Sequence, residues 1–262
     1  MANDNLTFWE HLEVLRWSIL RIAIAALVAM VVIFAAIPHI FTDFILGPTT
    51  SEFFLYRWLG TLGKLPLLPD FAGADFKIDI ININVASQFM THISTSFWLA
   101  LVLIFPYIIY EIWRFIAPAL YDNEKGSVKT VFFFGTLMFY LGCAVSYCFI
   151  FPFTFRFLAE YQISAEIANQ ISLNSYMSTF FGMIVIMGLV FELPLLAWLL
   201  SKLGIITKEF LKKYRKHATV ILLILAAAIT PTGDPLTLSL VFLPLFLLYE
   251  ISIKVVRSAP AE

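Results

Sequence analysis

Charged residues are scarce in this chain of 262 residues, at 13% of the sequence, whereas hydrophobic residues make up 61%. Soluble domains have about a quarter charged and about half apolar residues, so this composition excludes an ordinary soluble globular protein. It predicts an all-α polytopic membrane protein with a single membrane domain over residues 1–262. The formal net charge of −1 is uninformative as a total, because the charges are sorted by position along the chain, and no nucleic-acid partner is predicted.

Cysteine is almost absent, since the chain has only Cys143 and Cys148, five residues apart in one apolar stretch. Helical geometry turns these side chains toward different sides, so neither a disulfide nor a metal site is predicted. The four histidines lie in separate segments, and the patterns HExxH, GxSxG and a glycine-rich phosphate loop are missing. We therefore expect no cofactor, no metal and no enzymatic activity. His92, in an apolar segment, is interpreted as a hydrogen-bonded packing residue.

Six apolar segments predict six transmembrane helices. They cover residues 18–38, 85–113, 131–159, 173–201, 218–231 and 236–254, and the last two are short. Residues 1–17 predict an amphipathic segment at the cytoplasmic membrane surface, with Thr7 and Glu10 spaced as a capping box. Residues 39–84, rich in helix breakers and acids, predict an extracytoplasmic cap. Long helices beside a short hairpin predict a concave cup.

The distribution of Lys and Arg predicts that both termini are cytoplasmic. Thirteen of the seventeen basic residues lie in the N-terminal segment, in the loops 114–129 and 202–216, and in the C-terminal tail. Only four lie on the opposite side: Arg57, Lys64, Lys77 and Arg156. Positively charged loops are retained in the cytoplasm, which fixes this orientation. The basic run at 212–216 is interpreted as a topology signal facing anionic lipid, and binding of a partner's acidic segment is the alternative.

One acid, Glu192, interrupts the fourth apolar segment. It precedes Lys202 by ten residues, which at about 1.5 Å per residue places its carboxylate roughly 15 Å deep, near the middle of a ~30 Å hydrocarbon core. Pro194 follows closely and predicts a helix kink. Acids inside membranes are usually functional. The alternative is an acid that only holds helices together, protonated or hydrogen-bonded.

No internal repeat or inverted half is visible, which argues against a secondary transporter. A proton-coupled small-solute transporter with Glu192 as its titrating group nevertheless remains the main alternative function. An intramembrane enzyme is a weaker alternative, because the catalytic patterns are missing.

A stretch on the predicted cytoplasmic side, WRFIAPALYDNEK at residues 113–125, combines acids with aromatic residues. Asp122 and Glu124 lie there, close to Phe115 and Tyr121. Carboxylates in such a setting can accept bidentate contacts from the guanidinium groups of a bound peptide. A solvated turn between two helices fits the same residues and spacing equally well.

Four motifs together resemble the TatC family, the multispanning receptor subunit of the twin-arginine protein translocase. They are FWEHLEVLR near the start, YEIWRFIAPALYDNEK after the second span, FELP in the fourth span and TPTGDP before the sixth. The resemblance covers nearly the whole chain. It implies a six-helix cup in the bacterial plasma membrane that binds Arg-Arg signal peptides of folded precursor proteins at its cytoplasmic face. It also implies a hetero-oligomer with single-span TatA and TatB partners in membrane lipid.

By motif position, the resemblance implies roles for individual residues. Signal-peptide binding is implied for five residues of the cytoplasmic motifs: Glu10, Glu13, Arg16, Phe115 and Glu124. Roles in the membrane and on its outer side are implied for three others: Glu192 as a buried polar residue, and Pro231 and Asp234 in the extracytoplasmic turn.

The first motif departs from the family pattern at one position. The family usually reads HLxELR, whereas this chain has HLEVLR, with Val14 in the place of the acid. Because a helical turn takes about 3.6 residues, the one-residue shift to Glu13 rotates the carboxylate by about 100°. Either Glu13 replaces the missing acid, or Glu10 and Glu124 suffice.

Overall fold

The computed structural model describes residues 8–61, 78–116, 128–164, 166 and 169–256. The α-helices of this part of the chain are α1 (Phe8–Ile40), α2 (Phe54–Thr61), α3 (Ser87–Ile116), α4 (Val128–Val145), α5 (Phe151–Glu160), α6 (Leu173–Val190), α7 (Leu193–Lys202), α8 (Lys208–Lys213), α9 (Arg215–Ile229) and α10 (Pro235–Val255). Two short strands, β1 (Ile80–Ile81) and β2 (Ile171–Ser172), pair in parallel. The predicted all-α polytopic class is confirmed.

Five helical segments of the described chain are long and apolar enough to cross a membrane. They are Leu12–Thr49, Ser87–Phe115, Val131–Glu160, Leu173–Lys202 and Pro235–Val255. The remaining predicted span corresponds to α9, whose 15 residues reach only about 22 Å. The last of the five has 21 residues, against 29 to 38 in the others. The last two helices are thus the shortest of the six, as the sequence predicts.

Helix α1 joins the predicted surface segment to the first span without a break. Its 33 residues contain no glycine, and Pro38 near its end is its only proline. Nothing in the sequence therefore ends the helix near residue 17. From Phe8 onward, the predicted surface segment and the first predicted span form one helix about 50 Å long. The location of residues 8–17 at the membrane surface stays a prediction.

The fourth long segment is interrupted close to Pro194. Helix α6 ends at Val190 and α7 begins at Leu193, with Phe191 and Glu192 in the turn between them. Pro194 occupies the first turn of α7, where a backbone N–H would have no helical acceptor. Phe191 and Glu192 keep backbone angles of the right-handed helical region, so the interruption is short and lies where the sequence predicts a kink.

Helices α4 and α6 cross at two glycines that allow their backbones to approach closely. A Cβ atom on Gly142 would lie 2.7 Å from the carbonyl oxygen of Met187 and 2.9 Å from Cα of Gly188. A Cβ atom on Gly188 would lie 2.7 Å from Sγ of Cys143. Small residues commonly allow membrane helices to pack this tightly. The crossing holds α6, and with it Glu192, against α4.

The proline near the end of α1 leaves a backbone carbonyl without its helical partner. Pro38 has no N–H, so the carbonyl of Phe34 cannot receive the usual hydrogen bond from four residues later. Nε2 of His92 on α3 lies 2.8 Å from that oxygen and donates to it. The His92 ring also stacks on Phe34, with ring centroids 3.8 Å apart. The interpretation of His92 as a hydrogen-bonded packing residue is confirmed.

Pro106 has the same effect inside α3. It deprives the carbonyl of Val102 of its usual donor. The hydroxyl of Tyr140 on α4 lies 3.2 Å from the oxygen of Val102 and 3.3 Å from that of Leu103. A neighbouring helix thus satisfies a carbonyl inside an apolar segment, where water is scarce. His92 thus joins α3 to α1, and Tyr140 joins α3 to α4, each by a hydrogen bond to a carbonyl that a proline leaves free.

Three tyrosine hydroxyls fasten the segment after α1 to the helices that follow. Tyr147 and Tyr176 donate to carbonyl oxygens of the π-helical turn Phe41–Ile45. The hydroxyl of Tyr56 on α2 lies 2.8 Å from the carbonyl oxygen of Pro152. The described parts of the predicted cap are therefore packed on α5, on α6 and on the π-helical turn Ser146–Ile150 between α4 and α5. Residues 62–77 of that cap lie outside the described residues.

Candidate functional site

The predicted signal-peptide residues are distributed over α1, α3 and the segment after α3. Glu13 and Arg16 are exposed on α1, and Phe115 is half-buried in the last turn of α3. Glu10 lies in the first turn of α1, but its side chain is not among those that the structure describes. Glu124 lies entirely outside the described residues. The side-chain geometry is therefore defined for three of the five positions.

A bidentate ion pair joins α1 to α3 close to these residues. Nε and a terminal nitrogen of Arg21 lie 2.9 and 2.8 Å from the two carboxylate oxygens of Glu111. Ser18 accepts a hydrogen bond from Arg21 at 3.0 Å, and Tyr107 donates one to Glu111 at 3.0 Å. The Glu111 side chain is 2% exposed and the Arg21 side chain 34%. Such a planar contact is strong and geometrically strict. We call it the Arg21–Glu111 fork.

The fork and one further contact define the register of α1 on α3. The contact of Phe34 with His92 lies later in α1 and earlier in α3 than the fork, so the two helices are antiparallel. Arg16 and Ile116 each lie five residues beyond the fork, or about 7.5 Å along their helices. Glu13 lies farther out still, so α1 extends past the end of α3.

The residues of the fork were not among the predicted site residues. Arg21 and Glu111 carry opposite charges inside the first two apolar segments, near ends that the predicted topology places on one side. Because an unpaired charge in the membrane is costly, this arrangement is a signal for pairing that the sequence does contain.

Glu192 lies in the turn between α6 and α7, and its side chain is almost fully buried. The residue is 6% exposed, and neither carboxylate oxygen receives a hydrogen bond from the described residues. The carboxylate faces α4, where a Cβ atom on Gly135 would lie 3.5 Å from Oε2 of Glu192 and 2.9 Å from Leu195. An unpaired anion in such a place costs several kcal/mol. The position therefore requires a proton or a donor from outside the described residues.

An apolar cavity of about 350 Å³ opens beside α7, next to this turn. Its lining comes from α4, α7 and α10: Val131, Phe134, Met138, Pro194, Leu195, Trp198, Ile251 and Val255. These side chains carry almost no polar surface toward the cavity, so the cavity supplies no partner for the carboxylate of Glu192.

Asp234 caps the start of α10 after the turn that contains Pro231. Its Oδ1 accepts a hydrogen bond from the Thr237 N–H at 2.8 Å, and its Oδ2 accepts one from the Thr232 hydroxyl at 2.6 Å. Gly233 adopts a φ of 60°, which favours glycine. Burial alone would raise the pKa of Asp234, but these hydrogen bonds outweigh it and hold the pKa below its usual value. The geometry thus makes Asp234 a helix cap.

The part of the chain that the structure describes contains no candidate metal site. No group of three or more His, Cys, Asp or Glu side chains there could hold an ion. Cys143 and Cys148 are free thiols. The polar features described above are therefore a helix-register contact, an isolated carboxylate and a helix cap, and none of them is a metal site.

Comparisons with known proteins agree with one another. A family model for the Sec-independent protein translocase protein TatC matches residues 10–244. The TatC protein of Blattabacterium sp. subsp. Periplaneta americana (strain BPLAN) is 36% identical over 254 residues, which cover 96% of this chain and 95% of the relative. The TatC protein of Helicobacter pylori (strain ATCC 700392 / 26695) is 41% identical over 211 residues, which cover 79% of this chain and 83% of the relative.

Solved structures show the same similarity. A crystal structure of the twin arginine translocase receptor TatC matches with a TM-score of 0.72 at 28% identity, covering 94% of this chain and 97% of that chain. A crystal structure of the TatC receptor in DDM matches with a TM-score of 0.73 at 29% identity, covering 94% and 99%. The chain therefore belongs to the TatC family of Sec-independent protein translocase components.

Proposed function

We propose that this chain is the receptor that binds Arg-Arg signal peptides of folded precursor proteins at the cytoplasmic face of the bacterial plasma membrane. Solved relatives are described as twin arginine translocase receptors, which supports the proposal. The observation that carries it is the register of α1 on α3. This register brings Glu13 and Arg16 to the end of α3 that holds Phe115. Charged and aromatic side chains from two helices thus converge where a peptide from the cytoplasm arrives.

Discrimination between Arg and Lys requires a partly desolvated pocket. An exposed ion pair contributes under about 1 kcal/mol, whereas only Arg presents a planar fork to a carboxylate. Glu124 is the carboxylate that receives the Arg pair, and Phe115 forms an apolar wall. Residues of α1 close the site: Glu10, Glu13 and Arg16.

A comparison of Arg-Arg and Lys-Lys precursors tests this assignment. Crosslinking of an Arg-Arg precursor falls in Glu124→Ala and falls further in Glu124→Arg, which puts like charge opposite the guanidinium groups. Glu166→Ala is the matched control, because the exposed Glu166 lies between α5 and α6, on the opposite side in the proposed topology. If wild type and Glu124→Ala prefer Arg-Arg by the same ratio, Glu124 does not read the pair. The site then has to be sought at Glu10 and Glu13.

As a translocase component, the chain works with other Tat subunits, and the proposed partners are single-span TatA and TatB type proteins. Co-purification from cells should recover both small single-span proteins and Arg-Arg precursors, and recovery of neither contradicts the receptor role. Both termini are cytoplasmic in this proposal, and the protein performs no chemistry of its own. Cysteine labelling from outside should modify a Ser51→Cys variant but not Ser127→Cys. The reverse pattern overturns the orientation.

One observation favours a second candidate function, a proton-coupled small-solute transporter. Glu192 is buried, and neither of its oxygens has a hydrogen-bond partner among the described residues. A carboxylate in that state can take up and release a proton if water reaches it. A transporter requires the titrating carboxyl itself, whereas a polar docking residue tolerates an amide. The variant Glu192→Gln therefore separates the two functions.

A further inference from the structure

Two bidentate Arg–Glu pairs join neighbouring helices on the proposed cytoplasmic side, and they differ in burial. The Arg21–Glu111 fork joins α1 to α3, and its carboxylate side chain is 2% exposed. Arg215 and Glu250 join α9 to α10 through two nitrogen–oxygen contacts, and their side chains are 54% and 25% exposed. The second pair is therefore a natural control for the first.

Helix α1 depends on polar contacts for its position. It packs on α3 and on the turn that follows it, and none of its most apolar stretch is buried within the protein. Apolar side chains gain little by moving from lipid to a protein surface, so packing alone barely resists sliding of α1 along α3. Sliding by one helical turn, about 5.4 Å, separates the fork and leaves the Glu111 carboxylate buried and unpaired. The contact of His92 with Phe34 also opposes sliding, toward the other end of the helix pair, and the fork is the contact that does so near the proposed binding residues.

We propose that Arg21 and Glu111 are positioning residues for signal-peptide recognition, because their fork sets the height of Glu13 and Arg16 relative to Phe115. This inference rests on the proposed function. A one-turn slip displaces Glu13 by about 5.4 Å, far more than the few tenths of an ångström that a hydrogen bond tolerates.

The fork acts through the helices and does not contact the peptide itself. Both oxygens of Glu111 are taken by Arg21, and Tyr107 donates to one of them as well. The carboxylate is also buried between α1 and α3. An arriving guanidinium group therefore finds neither a free oxygen nor an open path to it.

Two conservative variants of the full-length protein test the inference. Arg21→Lys keeps the positive charge that the topology requires but cannot form the fork. Glu111→Gln keeps the size of the side chain and removes its charge, and the exposed part of Arg21 can then extend to water. Glu250→Gln removes the same charge from the more exposed pair and serves as the matched control.

Two measurements are made on each variant. The first is the ratio of Arg-Arg to Lys-Lys precursor crosslinking. The second is the spin-label distance between Trp17→Cys on α1 and Tyr214→Cys, both exposed positions, in a Cys143→Ala, Cys148→Ala background. In Arg21→Lys and Glu111→Gln the crosslinking ratio should fall at least about threefold, equivalent to about 0.7 kcal/mol, and the distance distribution should shift or broaden. Glu250→Gln should change neither.

Several outcomes overturn the positioning role. An unchanged ratio in both fork variants does so, and so does an equal fall in Glu250→Gln. A fall in the ratio without any change in distance shows that the fork contacts the peptide directly. An increase in Arg-Arg crosslinking in Arg21→Lys shows that Arg21 competes with the peptide. If the wild type itself shows no Arg-Arg preference, the proposed function fails, and the distance still reports whether the fork holds the register.

Discussion

The carboxylate of Glu192 faces the glycine at position 135, where a Cβ atom would lie 3.5 Å from its Oε2. Because Gly135 has no side chain, it leaves a recess on α4 opposite the turn between α6 and α7. No described residue donates a hydrogen bond into this recess. The acid is therefore held in place by packing, and its polar atoms remain available to a proton or to a donor from another molecule.

Substitutions at Glu192 should separate a polar docking role from a proton-carrying role. Glu192→Gln keeps size and polarity and should retain most of the assembly and export of a folded reporter with an Arg-Arg signal. Glu192→Ala removes the polar group and should reduce export at least about tenfold, which corresponds to about 1.4 kcal/mol. The amount of reporter that accumulates outside the plasma membrane measures export in each variant. Equal and complete loss in both variants contradicts the docking role and supports the transporter.

The crossing of α4 and α6 should be intolerant of a single methyl group. Gly142→Ala forces backbone atoms of Met187 and Gly188 to move, and such overpacking typically costs about 1–3 kcal/mol. Gly182→Ala on α6 is the control, because a Cβ atom there meets nothing within 4 Å. Thermal unfolding in detergent should show a lower midpoint for Gly142→Ala only. Equal midpoints for the two variants would mean that the helices are not in close contact at Gly142.

Loss of the hydroxyl that satisfies the Val102 carbonyl should destabilise the protein. Tyr140→Phe leaves that oxygen without its donor, and we expect a cost of about 0.5–1.5 kcal/mol in the free energy of unfolding. Tyr110→Phe removes a hydroxyl from an exposed ring on α3 and should be neutral. Denaturant titration of both variants measures the difference. A neutral Tyr140→Phe would indicate that another donor replaces the hydroxyl.

The cap of α10 should become weaker at low pH. The pKa of Asp234 is lower in the folded protein than in an unfolded chain, so its carboxylate stabilises the fold above the unfolded value of about 3.9. This stability is lost as the pH falls through the lower folded pKa. Asp234→Ala should cost about 1 kcal/mol near neutral pH.

Thermal unfolding of the wild type and Asp234→Ala from about pH 7 to about pH 3 follows this loss, since the difference in stability between the two proteins should become smaller toward the acidic end. Asp234→Asn is the control, because an amide oxygen caps the helix without titrating in this range. A constant difference between wild type and Asp234→Ala at every pH would show that the charge makes no contribution.

Features set by local sequence were predictable. Hydropathy identified the long apolar segments, and the kink predicted at the proline after Glu192 falls where α6 meets α7. No break in the helix accompanies the boundary predicted at residue 17, because α1 contains no residue there that could end it. A change from amphipathic to apolar sequence therefore does not by itself end a helix.

Features that depend on which helices are neighbours were not predictable in the same way. The opposite charges of Arg21 and Glu111 are a signal for pairing, but their bidentate geometry joins residues 90 positions apart and depends on how α1 packs on α3. The contact of Gly142 with Gly188 likewise requires one particular crossing. The strands β1 and β2 have two residues each, too few to show any periodicity. Such contacts follow from tertiary structure, which local patterns do not specify.

The 90 residues between Arg21 and Glu111 also impose an order of events during synthesis. A ribosome adds about 5–20 residues per second, so Arg21 exists for roughly 5–20 s before Glu111 is made. Throughout that interval its guanidinium group has to be hydrated, which its long aliphatic chain allows at the membrane surface. The first helix is therefore made before its partner, and the fork can form only after the second span has been synthesised.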